Sequence, residues 1–149
     1  MAQSVIHLTQ SRYYSPAFNA AVFDGPIRIY FAQHQESLAL KVYFRLQQSL
    51  QELYAHFRKN FRQHGQTVFL MLYPNLESFE NSFSGAGGPD VVAERLGEDH
   101  VIGVRGPLKD EDYEEVYQKV RVILQALNPG PSPLPLSVPE VQETVVPSV

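Results

Sequence analysis

Five histidines, His7, His34, His56, His64 and His100, are the side chains best suited to acid–base or metal chemistry near neutral pH. A zinc site on a helix needs its ligands on one face, commonly two histidines four residues apart. His56 and His64 stand eight apart, with Asn60, a poor zinc ligand, midway between them. Glu52 and His56 have i,i+4 spacing, which an exposed helix surface often supplies without any metal. Zero cysteines remove thiolate catalysis, disulfides and sulfur-ligated metals. No metal and no cofactor is therefore expected. There is also no Gly-x-Ser-x-Gly elbow, His-Glu-x-x-His pair or dinucleotide fingerprint.

The run Ser84-Gly85-Ala86-Gly87-Gly88-Pro89-Asp90 has the glycine content of a phosphate-binding loop. Pro89 removes one of the backbone amides such a loop needs, and Asp90 puts an anion where the phosphate would sit. The run lacks the Lys-Ser/Thr of a P-loop, so a connection is the better reading.

The elements that must position any site follow from periodicity. Phe18–Phe23 leads through Asp24-Gly25-Pro26 into Ile27–Phe31, an alternation of β-forming residues about a turn that predicts a hairpin. Ser4–Leu8 is a further short strand candidate. From Gln35 to Gln63, Ala39, Tyr43, Leu46, Leu50, Leu53 and Phe57 recur at four- and three-residue steps and predict one helix about 40 Å long. Thr67–Tyr73, closed by Pro74, is a continuous apolar run with the look of a central strand buried on both faces. Strand, helix, strand makes a βαβ crossover with parallel strands. Leu76–Gly88 reads as a loop, Pro89–Leu96 as a short helix stopped by Gly97, and His100–Arg105 as a third strand. Asp110–Leu127 is an amphipathic helix stopped by Asn128-Pro129-Gly130.

The fold class is thus α/β (or α+β): a small mixed sheet with an N-terminal hairpin, one crossover through a long helix, and a C-terminal helix. Residues 1–127 form a single domain, long enough to bury a core. Residues 128–149, with six of the eleven prolines, are expected to be an extended, flexible tail.

In open α/β sheets, ligands bind beyond the carboxyl ends of parallel strands. His34 follows the first strand of the crossover, Asn75 the second, and Arg105 the third if it too is parallel. The topology therefore predicts a cleft where His34, Asn75 and Arg105 meet a small anionic ligand. Glu36 opposes the idea, and strand ends carry polar residues for solvation alone.

Charge is divided along the chain. Residues 1–64 hold seven basic and three acidic side chains, whereas residues 65–149 hold five and thirteen. The formal net charge of -4 argues against a nucleic-acid coat, although Arg45, Arg58, Lys59 and Arg62 have the right chemistry. No apolar stretch approaches the roughly 20 residues of a membrane span, and Met1–Gln10 lacks a secretory pattern, so a cytoplasmic protein is expected.

The long helix outruns a five-residue strand of about 17 Å. Its second half, with Leu50, Leu53, Tyr54, Phe57 and Phe61, therefore needs a cover. The expected function is a non-enzymatic interaction or adaptor module that binds itself, as a homodimer, or another protein on that face. The alternative is a metabolite-binding domain or enzyme using the strand-end cleft.

Overall fold

The computed structural model describes residues 8–49, 51–83 and 90–128. Five strands form one sheet: β1 (Ala20–Asp24), β2 (Ile27–Phe31), β3 (Val68–Leu72), β4 (Val91–Leu96) and β5 (Asp99–Val104). Four helices are assigned among the described residues: α1 (Glu36–Ser49), α2 (Gln51–Gln63), α3 (Leu76–Ser82) and α4 (Tyr113–Leu127). The strand order is β1-β2-β3-β5-β4. β2, β3 and β5 run parallel, and an antiparallel strand closes each side. This is the mixed α/β sheet with an N-terminal hairpin and a C-terminal helix that the periodicity predicts.

β3 is buried along all five residues because it lies in the middle and is covered twice. On one face Leu70 and Leu72 join Ile29, Phe31, Ile102 and Val104 of the neighbouring strands under α1, α2 and α4. On the other face Phe69, Met71 and Tyr73 pack against Leu8, Tyr13 and Phe18 of the N-terminal segment and Phe79 and Phe83 of the α3 region. The Tyr73 hydroxyl, buried in that second layer, donates to the Tyr13 carbonyl at 2.6 Å. Gly103 lies beneath this layer, where a Cβ would run into the Phe83 ring. The absence of a side chain there lets the aromatic cluster sit flat on β5.

The expected single helix is two. α1 spans about 21 Å, the length of the strands it covers, and buries Leu38, Ala39, Val42 and Leu46. α2 then lies at the amino edge of the parallel strands. Tyr54 and Arg58 reach Asp24 at the end of β1, and Phe61 meets His100 at the start of β5 with ring centroids 6.0 Å apart. An apolar stripe continued straight past the sheet would stand in water, whereas placed here it closes the bottom of the core.

Two further expectations are corrected. Val91–Leu96 is a strand, not a helix: Gly97, at φ +63°, starts the tight turn that pairs Leu96 with Asp99. A positive-φ glycine serves a helix end and a hairpin equally well. Leu76–Ser82 is a helix, not a loop, because the Asn75 side chain accepts from Ser78 N at 2.8 Å and caps its first turn. The expected Ser4–Leu8 strand lies outside the described residues except for Leu8, which is helical. The glycine run 84–89 and the tail beyond Asn128 also lie outside them.

Leu70, at the centre of β3, gives the simplest test of this layering. Leu70→Ala should lower the free energy of unfolding by about 2–5 kcal/mol in denaturant titration, from lost transfer energy plus a cavity. A loss below about 1 kcal/mol would contradict a central, doubly covered strand.

Candidate functional site

The carboxyl ends of β2, β3 and β5 lie on one edge, as the predicted cleft requires. His34 sits exposed in the 3-10 turn Gln33–Gln35 directly after β2. Asn75 is exposed after β3 and uses its side-chain oxygen as the α3 cap. Arg105 follows β5 but is turned to Asp90, with which it forms a close ion pair, and its backbone N–H also donates to the Asp90 carbonyl at 2.8 Å. Lys119 of α4 reaches the same carboxylate at 2.9 Å. Held first by the Lys119 hydrogen bond, with Arg105 beside it, the Asp90 carboxyl stays below its usual range. The cation expected to attract an anion is thus already neutralised within the chain.

The edge does carry a groove. Arg12, Tyr14, Ser15, Asn75, Ser78 and Asn81 are among the residues lining a space of about 290 Å³. Of the three predicted ligand residues it contains Asn75 alone. Arg12, at its rim, is bound to Glu94 at 2.6 Å, and that carboxylate also accepts from the Tyr13 hydroxyl at 2.6 Å. Glu94 is the residue sequence reasoning missed here, and for Asp90 it missed the pairing with Arg105 and Lys119. A reading of β4 as a strand would have signalled Glu94.

The predicted partner face resolves differently. Tyr54, Phe57 and Phe61 are 2%, 1% and 0% exposed, covered by the chain's own core. Leu50 and the Leu53 side chain lie outside the described parts. The cover expected for this stripe comes from within the chain, so Tyr54, Phe57 and Phe61 offer a partner no surface. The Asp24 carboxylate pins the arrangement: Tyr43 and Tyr54 donate to one oxygen at 3.0 and 3.1 Å, and Arg58 approaches the other at 3.4 Å.

Charge division is likewise satisfied inside the molecule. Arg45 of α1 grips Glu114 at the start of α4 with two hydrogen bonds, at 2.7 and 2.9 Å, while lying over the Tyr117 ring. That bond holds the Glu114 carboxyl below its ordinary value. Exposed pairs of this kind fix orientation more than they stabilise.

What remains open is the outer side of β1. Four large apolar side chains are exposed among the described residues: Phe23, Phe44, Leu76 and Val122. One of them belongs to this strand: Phe23 lies in β1 at 59% exposure, with Arg28 stacked on its ring at 4.6 Å. Phe44, 49% exposed beside Tyr43, stands on the outward side of α1, away from the face that buries Leu38, Val42 and Leu46. Beside the strand, Tyr14, Phe18, Asn19, Ala20, Ala21 and Tyr30 line a pocket of about 330 Å³.

Compared with known proteins, the chain matches no family model, no curated protein and no solved structure. The geometry alone must supply the functional reading.

His100 allows a test of the packing at the amino edge. Burial, with Arg95 adding to it, pushes its imidazole below the ordinary histidine value. The unfolded chain then binds the proton more readily than the folded one, so stability is full above the unfolded pKa of about 6.5 and declines as pH falls below it. The melting temperature should drop between about pH 7 and pH 5, and His100→Gln should flatten that slope even if it lowers the curve. A slope unchanged by the substitution would contradict a neutral, buried His100.

Proposed function

We propose that this chain is a non-enzymatic protein-interaction module that self-associates through the open side of β1. The observation that carries the reading is Phe23, a large aromatic side chain 59% exposed on an edge strand that is paired on one side only among the described residues. A water-exposed aromatic ring on such an edge marks a contact surface, because it contributes a large apolar area when covered. The predicted strand-end cleft gains less support, since Arg105 is spent on Asp90 and His34 stands apart from the Asn75 groove. Relative to the expected partner face from Leu50 to Phe61, where Tyr54, Phe57 and Phe61 are buried, the contact moves to the edge strand that exposes Phe23.

The test is the solution mass of the full chain by sedimentation equilibrium, alone and with Phe23→Glu. The wild type should exceed the chain mass of 16.9 kDa, and the variant should return to it. The position is exposed, so the variant should keep wild-type stability to within about 0.5 kcal/mol. A strictly monomeric wild type, or an assembly indifferent to the substitution, would overturn the proposal.

A further inference from the structure

The sheet has two edges, and they are built differently. β4 carries Glu94 and Arg95, the charged residues that discourage an edge from pairing with another chain. β1 reads Ala20-Ala21-Val22-Phe23-Asp24, with no basic residue and no proline. Its single charge, Asp24, is turned to Tyr43, Tyr54 and Arg58 of its own chain. Among the described residues β1 is paired on one side only.

A second copy fits this edge in one full register. Along a strand, successive backbone groups point to opposite sides, so a two-fold axis between antiparallel copies must bring some residue opposite itself. Only an axis at Val22 pairs all five residues. That register sets Phe23 of the second copy opposite Ala21. Ala21 is in turn opposite Tyr30 of β2, so the second copy's ring, Ala21 and Tyr30 form one row across three strands. Ala21 has almost no side chain, and the pocket of about 330 Å³ opens there between Tyr14, Phe18 and Tyr30. The strand therefore presents its largest residue and its own receptor for that residue, two positions apart on one face.

Resting on the self-association proposed above, we infer that β1 pairs antiparallel with β1 of a second copy about a two-fold axis at Val22. Each Phe23 then fills the Tyr14–Phe18–Tyr30 pocket of the other copy. The two Phe23 rings become diagonal neighbours, about 7–8 Å apart across the strands and within aromatic reach. On the opposite face Val22 meets its copy, on the side of the sheet that the helices cover. Phe23 is 59% exposed, so the two rings alone bury about 200 Å² over both copies, to which the paired strands and the pocket walls add.

The chain has no cysteine, so a single introduced thiol reports on the axis without interference. Val22→Cys under mild oxidation should give a covalent dimer on a non-reducing gel, because facing residues stand about 4.5–5.5 Å apart at Cα, within disulfide range. Val122→Cys, on the exposed side of α4, should stay monomeric. As a second readout, Ala21→Arg changes an exposed residue and puts a charged side chain where the second copy's Phe23 would sit. It should return the sedimentation mass to 16.9 kDa with an unchanged circular dichroism spectrum. A wild type that is dimeric, with Val22→Cys failing to cross-link and Ala21→Arg leaving the mass intact, overturns this register and leaves self-association standing. A monomeric wild type overturns both.

Discussion

A strand that is apolar on both faces cannot stop at one covering layer, and that demand from β3 organises the whole domain. Val68–Leu72 has no polar residue to turn toward water. One side must receive helices, and α1, α2 and α4 meet there. The other side must be covered by whatever chain is left, and the N-terminal segment with α3 supplies it through a cluster of Tyr and Phe rings. The first layer is aliphatic and helical, the second aromatic and largely irregular. Aromatic side chains suit the second task because each covers much of the sheet from a short segment.

Polar contacts then orient the layers without dominating their stability. Asp24 ties the β1–β2 turn to both α1 and α2, Glu114 ties α4 to α1, and Asp90 joins the approach to β4 with Arg105 and Lys119. Each joins segments distant in sequence, and each consumes a charge that would otherwise be free for a ligand. Three pairs, Arg12–Glu94, Lys41–Asp110 and Arg45–Glu114, draw the basic N-terminal part and the acidic C-terminal part together inside one molecule.

Strong periodicity was legible in the sequence, and local ambiguity was not. The hairpin and α4 carry an apolar period and β3 a continuous apolar run, and these elements are found close to where those patterns place them. Val91–Leu96 has no decisive period, and Pro89 and Gly97 flank it as they would a helix; only pairing with β5 makes it a strand. The stripe from Ala39 to Phe57 shows helix but not its division into α1 and α2, because the same spacing holds in both. At the candidate site, the edge that His34, Asn75 and Arg105 share was readable from topology. Their divergence was not, since it depends on Asp90 capturing Arg105 from a segment whose conformation the sequence left undetermined. Phe23 was visible only as a strand residue, and its exposure follows from β1 being an outer strand.

Backbone hydrogen bonding at β1 separates a paired edge from a bare one, and amide hydrogen exchange measured across a range of protein concentrations reads it directly. With β1 held by a second copy, the outward-facing amides of Ala20–Asp24 should be protected at high concentration and lose that protection on dilution, while the amides of β3 stay slow throughout. Outward β1 amides that exchange rapidly at every concentration would contradict a shared sheet.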